Sequence, residues 1–196
     1  MKRVITHEDA HEFFDYLQGK TISLVGNAES LFDNNYGKMI DSSDVVMRIN
    51  RGYPIDYGKQ GLKTDVVWMN NRFVGDRVIS DYLKLSKKFY YVLQGGKNKS
   101  EIESCLIKGD LYNWKDVWEI HKPRMKKMPS QGFVIIYLLY KEITCNLNLF
   151  GFDFQKTGTY MPRSDLIVHR KESPHDFETE EYYVNKMVKE MGWKIY

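Results

Sequence analysis

The chain has 196 residues, enough for one compact domain over 1–196 and short for two. A hydrophobic share of 42% and an aromatic share of 14% exclude a disordered chain. The formal net charge of +3 suits an anionic substrate and permits nucleic acid without requiring it.

In chain order, the first predicted element is a helix over residues 6–18. Thr6 stands in capping position, Asp9 follows three residues on, and Phe13, Phe14 and Leu17 form an apolar stripe. Residues 21–25 read as a short apolar strand that closes on Gly26-Asn27. Residues 30–37 read as a loop or a helix start. Further buried strands are predicted over 44–49, 65–69 and 89–93, then a helix over 131–143, a strand over 147–150 and a last helix from about 176 to 191. The N-terminus lacks the apolar centre of a signal peptide, and no apolar run is long enough to span a membrane. The two cysteines, Cys105 and Cys145, fit reduced thiols, so a cytoplasmic protein with no membrane span is expected.

Apolar strands alternating with helices favour an α/β fold with a mostly parallel central sheet flanked by helices. Ligands of such sheets sit outside the carboxyl ends of the strands. Those ends carry Gly26-Asn27-Ala28-Glu29-Ser30, Asn50-Arg51-Gly52, Asn70-Asn71-Arg72 and Gly151-Phe152-Asp153. Glycine lets main-chain N–H groups approach an anion, and asparagine donates and accepts without adding charge.

Four stretches carry chemistry. Gly26-Asn27 alone reads as a turn, and it belongs to neither a G-x-G-x-x-G nor a Walker loop. Alternation places Arg48 and Asn50 opposite Met47 and Ile49, and Arg48 either pairs with Asp44 or faces a ligand. The basic run with Arg124, Lys126 and Lys127 reads as a solvated loop or, since Ser130-Gln131-Gly132 opens a helix directly after it, as part of an anion site. In the last helix Phe177, Glu180, Val184 and Met187 share one face, which aims Glu180 inward behind His175. An inward carboxylate is costly unless it is paired or functional.

Together these pieces resemble the sialyltransferases of glycosyltransferase family 29. Val25-Gly26-Asn27-Ala28-Glu29-Ser30-Leu31, continuing through Tyr36-Gly37, Asp44-Val45-Val46, Arg48 and Asn50-Arg51, is similar to that family's large motif. Pro129-Ser130-Gln131-Gly132 with Leu149-Phe150-Gly151-Phe152 resembles its small motif, and His175 and Glu180 its very small motif. The resemblance implies a Rossmann-like GT-A variant. It implies that Asn27 and Asn50 contact the donor nucleotide and its phosphate, that Ser130 and Gly132 bind the nucleotide, and that His175 is the catalytic base. Glu180 would orient the His175 loop or stabilise an imidazolium. Gly26, Arg48, Gln131 and Tyr160 complete the expected substrate-binding set, with His169 a weaker companion to Tyr160. The disulfide of animal members is missing: Ile22 and Thr144 occupy its two positions.

The expected activity is a metal-independent, inverting transfer from a nucleotide-sugar donor, CMP-sialic-acid-like or related, to a hydroxyl of a glycan or other acceptor. No cofactor or metal is expected, since the chain has no Asp-x-Asp pair, and Arg124, Lys126 and Lys127 are candidates to steady the departing phosphate. One alternative is a sugar transferase acting on nucleic acid, such as hydroxymethylated bases of phage DNA, with a UDP-sugar donor. Another is a non-catalytic nucleotide- or glycan-binding module.

Overall fold

The structure is a computed structural model that describes residues 7–70, 90–94, 123–161, 166–168 and 173–196. Thr6, Cys105 and His169, named above, lie outside the described residues. The elements in chain order are α1 (His7–Leu17), β1 (Thr21–Val25), a 3-10 turn (Glu29–Phe32), α2 (Gly37–Asp41), β2 (Val45–Ile49), α3 (Tyr57–Gln60), β3 (Val66–Asn70) and β4 (Tyr90–Gln94). Then come α4 (Gln131–Glu142), β5 (Asn146–Phe150), β6 (Thr159–Met161), β7 (Leu166–Val168), α5 (Phe177–Met191) and β8 (Lys194–Ile195).

Six strands form one sheet in the order β4-β3-β2-β1-β5-β8, and every pairing in it is parallel. β1 and β2 are apolar runs because both faces of the sheet are covered: all of β2 is buried, and all of β1 except its first residue. Alternation sorts their side chains. Ile22, Leu24, Val45, Met47 and Ile49 join the main core with Phe13 and Leu17 of α1 and Phe133 and Leu139 of α4. Val25, Val46 and Phe150 meet Leu31 and Ile40 in a smaller cluster on the opposite face.

β2 and β3 start one residue later than predicted, because Asp44 and Asp65 act as side-chain acceptors at the edge of the sheet. Thr21 N donates to Asp44 Oδ2 at 2.9 Å, and Val46 N donates to Asp65 Oδ2 at 2.8 Å. Asp44 is thus engaged by β1, not by Arg48. Both long helices begin at side-chain caps: Ser130 Oγ accepts from Phe133 N at 3.1 Å, and Asp176 Oδ1 from Thr179 N at 3.4 Å. The last helix stops at Gly192, whose φ of 68° is left-handed. The β6–β7 hairpin, β8, α2 and α3 were not foreseen; each is two to five residues long, too short to show a period.

From β1 the chain steps outward to β2, β3 and β4, then returns past β1 to lay down β5 and β8. The direction of winding therefore reverses between β1 and β5. A crevice opens at the carboxyl ends of the strands at such a point.

Candidate active site

The crevice is a cleft of about 530 Å³. It is walled by the ends of β1, β2 and β5, the start of α4, the chain entering α5 and the loop leading to β6. Gly26, Asn27, Asn50, Ser130, Gln131, Gly132, Tyr160, His175 and Glu180 all line it; Arg48 does not.

At the end of β1, Gly26 passes so close to the turn after β5 that a β-carbon on it would stand 2.4 Å from Gly151 O. Only glycine lets these two turns share the floor of the cleft. Asn27 follows, and its Nδ2 donates to Ile49 O at 3.1 Å. A carbonyl accepts only, so this bond fixes the amide and leaves Oδ1 as the enclosed atom without a partner. Asn50 leaves β2 in a left-handed conformation (φ 51°), and its N–H donates to Trp68 O at 2.7 Å. Tyr160 is buried, and its N–H donates to Asn27 O at 2.7 Å, tying β6 to the end of β1.

At the start of α4, Gly132 lies under the Phe152 ring, where a β-carbon would come within 2.8 Å of the ring edge. The Ser130 N–H and Oγ–H both donate to Glu180, each at 2.6 Å, and the Phe133 N–H goes to Ser130 Oγ. Among the described residues none accepts from the N–H groups of Gln131 and Gly132. They are the donors a helix start presents to an anion.

Segments 126–130 and 173–180 are laced together. Lys126 N donates to Asp176 Oδ2 at 3.0 Å, Lys127 Nζ to Ser173 O at 2.8 Å, and Ser130 to Glu180 as above. His175 Nδ1 lies 2.8 Å from Met128 O. Because that oxygen only accepts, Nδ1 carries the hydrogen, and the neutral ring keeps its lone pair on Nε2. The ring also packs edge-on against Phe177. The Lys126 N–H holds the Asp176 carboxyl below its ordinary range.

Glu180 is 1% exposed, and burial pushes its pKa up to about 7, against the hydrogen bonds from Ser130, which pull it down. Both carboxylate oxygens are engaged by Ser130, so Glu180 ties α5, behind His175, to the start of α4, while the His175 ring itself bonds to Met128 O.

Arg48 stands apart from the rest of the expected binding set. It is fully buried on the sheet face opposite Met47, where Nε donates to Thr64 Oγ1 at 2.9 Å and Nη2 to the carbonyls of Gln60 and Lys63 at 3.0 Å. Its Nε and Nη2 are held by the loop before β3, and the residue is not part of the cleft lining. Arg124, Lys126 and Lys127 lie on the loop beside the cleft but not in its lining. Among the described residues the cation that does line it is Arg51, legible in the sequence as the residue after Asn50 at a strand end. No sequence motif marks the wall formed by Phe154 and Gln155, both left-handed at φ 56° and 65°. Asp153 holds that loop by accepting from Ser30 Oγ, Gln155 N, Thr157 N and Thr157 Oγ1. Cys145 is buried and unbridged, and burial pushes its thiol up to about 12.

A family model, glycosyltransferase family 29 (sialyltransferase), matches residues 3–100. Among solved structures the chain is similar to a mammalian sialyltransferase in complex with Gal-beta-1-3GalNAc-ortho-nitrophenol, with TM-score 0.60, 17% identity, and coverage of 100% of this chain and 81% of that one. It is similar to the sialyltransferase CST-II in complex with trisaccharide acceptor and CMP (TM-score 0.57, 16% identity, 90% of this chain and 80% of that one). It is also similar to the monofunctional alpha-2,3-sialyltransferase Cst-I from Campylobacter jejuni (TM-score 0.62, 15% identity, 91% and 75%). At these identities the structural likeness is one of fold. No helix among the described residues is long and apolar enough to cross a membrane.

Proposed function

We propose that this chain, which belongs to glycosyltransferase family 29 and is a glycosyltransferase, moves a sialic-acid-type sugar from a CMP-linked donor to a hydroxyl of a glycan, with inversion and without a metal. The observation that carries this reading is one cleft holding both halves of the chemistry. His175, with its lone pair on Nε2, lies in the same lining as the unengaged N–H groups at the start of α4.

The donor phosphate seats on the N–H groups of Gln131 and Gly132, with Arg51 in the same lining to balance its charge. Asn27 and Asn50, at the ends of β1 and β2 in the same lining, are placed to meet the donor nucleotide. In the transfer step the acceptor oxygen bonds to the anomeric carbon on the face opposite the phosphate. The carbon–oxygen bond to the phosphate breaks, and CMP leaves with the electron pair. The hydroxyl proton passes to His175 Nε2.

One solved relative of the fold is in complex with trisaccharide acceptor and CMP, and another with Gal-beta-1-3GalNAc-ortho-nitrophenol, which supports the choice of donor and acceptor. Nothing in the comparisons supports a nucleic-acid acceptor. The test is a binding screen of CMP, UMP and GMP, followed by turnover with the matching sugar nucleotide and a galactose-terminated acceptor. CMP as the tightest ligand, with release of free CMP during transfer, is expected; preference for another nucleotide would overturn the donor assignment.

A further inference from the structure

Asp176 stands between His175 and α5, and its two carboxylate oxygens have different partners. Oδ1 accepts from Thr179 N at 3.4 Å and caps the helix. Oδ2 accepts from Lys126 N at 3.0 Å, on a segment 50 residues earlier. The cap is the longer bond, and serine or asparagine would supply it as well as aspartate does. The shorter bond is what an aspartate adds, because a carboxylate accepts on both oxygens at once. A bond to an ionised acceptor is also roughly twice as strong as a neutral one. The Lys126 N–H, ahead of the cap, holds the carboxyl below its ordinary range, so Asp176 is charged wherever a histidine is neutral.

That bond fixes the segment whose carbonyl meets the imidazole. Lys126, Lys127 and Met128 are exposed and strung between the buried Met125 and Pro129. Packing of their side chains therefore does not seat the Met128 carbonyl. Its bond to His175 Nδ1, 2.8 Å long, lies in an exposed position where water competes for both groups. Ahead of Pro129 the companion tie is the Lys127 ammonium on Ser173 O, carried by a long exposed side chain that loses rotamer freedom there. Asp176 instead reaches the main chain from a short side chain directly beside His175. Lys126 to Met128 and His175 to Asp176 thus close a small ring through two hydrogen bonds. Within that ring the imidazole and its acceptor move together.

We propose that Asp176 is a positioning residue for the transfer: through the Lys126 N–H it holds the Met128 carbonyl against His175 Nδ1, so that the lone pair stays on Nε2; this rests on His175 as the base. Asp176 is not part of the cleft lining and acts through the neighbouring segment alone. Misplacement of a reacting group by a fraction of its bond length is costly in rate and leaves donor binding untouched.

The test separates the tie from the cap. Asp176→Ser keeps a helix cap and removes the second oxygen. Without ligand, at a pH where the ring is neutral, two-bond ¹H–¹⁵N spectra of the histidine ring read its tautomer. Wild-type protein is expected to show the Nδ1–H form alone, and the variant a mixture of both forms. In turnover with the sugar nucleotide and a glycan acceptor, kcat per folded molecule is expected to fall about tenfold or more. CMP affinity, titrated calorimetrically, should change less than about twofold. A variant that keeps the wild-type tautomer overturns the positioning role by itself. Parallel losses of kcat and CMP affinity overturn it too, since they mark a general loosening of the cleft. A changed tautomer with normal kcat overturns His175 as the base and, with it, any part for Asp176 in the transfer. Should Asp176→Ser not fold, Asp176→Asn repeats the comparison, because its single oxygen cannot serve both partners. In the wild type, the Lys126 amide proton shift should follow the titration of the Asp176 carboxyl; a flat response overturns the bond on which the proposal stands.

Discussion

Replacing His175 by alanine removes the group that takes the acceptor proton but leaves the helix start that holds the donor. Turnover is expected to fall about 10²–10⁴-fold with little change in donor affinity. The measurement is kcat per folded molecule together with calorimetric CMP affinity; a folded variant with near-normal kcat would exclude His175 from the chemistry. Glu180 calls for a different experiment, since it bonds to Ser130 and not to the imidazole. Burial raises its pKa from 4.5 to about 7. Below about pH 4.5 it is protonated in both folded and unfolded chain and costs nothing. As pH rises toward 7 the unfolded chain ionises first, so stability falls across that window by on the order of 3 kcal/mol and then levels off. Glu180→Gln should flatten this loss. Urea unfolding of both proteins at pH 5 and pH 8 reads it, and parallel profiles would show that Glu180 does not titrate abnormally.

Between strand and hairpin, the loop after β5 forms one wall of the cleft by virtue of a single side chain. Asp153 gathers donors from Ser30, Gln155 and Thr157, and this stabilises the left-handed backbone at Phe154 and Gln155. Asp153→Ala leaves those donors without their acceptor. A stability loss of about 1–3 kcal/mol is expected, together with a raised KM as the wall loosens. An unchanged KM in the folded variant would place Phe154 and Gln155 outside substrate binding. Helix α4 carries two functions on one turn: Ser130 caps it and binds Glu180, and the next two residues face the cleft.

At the scale of the whole molecule, the buried Arg48 guanidinium ties β2 to the loop before β3 through Thr64 and the carbonyls of Gln60 and Lys63. Arg48→Met strands those carbonyls, and a loss of at least about 2 kcal/mol is expected. CMP affinity of the folded fraction should be unchanged; a selective loss of affinity at normal stability would return Arg48 to the binding set. The complete enzyme is also expected to transfer sugar in excess EDTA, because no Asp-x-Asp pair occurs in the sequence and the cleft offers Arg51 and helix N–H groups to the phosphate. Loss of rate on chelation, restored by magnesium or manganese, would overturn that.

The sequence by itself determined β1 to β5, because a parallel sheet covered on both faces requires unbroken apolar runs such as those at β1 and β2. It also brought Gly26, Asn27, Asn50, Ser130 and His175 into view, since they sit at breaks between periodic segments, and these five line the cleft. Tertiary structure alone decided the pairings. Nothing in the spacing of Glu180 shows that a residue 50 positions earlier takes both its oxygens, or that Met128 lends its carbonyl to His175. Arg48 could not be assigned from alternation, because the pattern gives the side of the sheet on which a side chain lies but not what covers that side. Periodicity is a local property of the chain, whereas burial and hydrogen-bond partners depend on contacts between segments distant in sequence, which only the folded arrangement specifies.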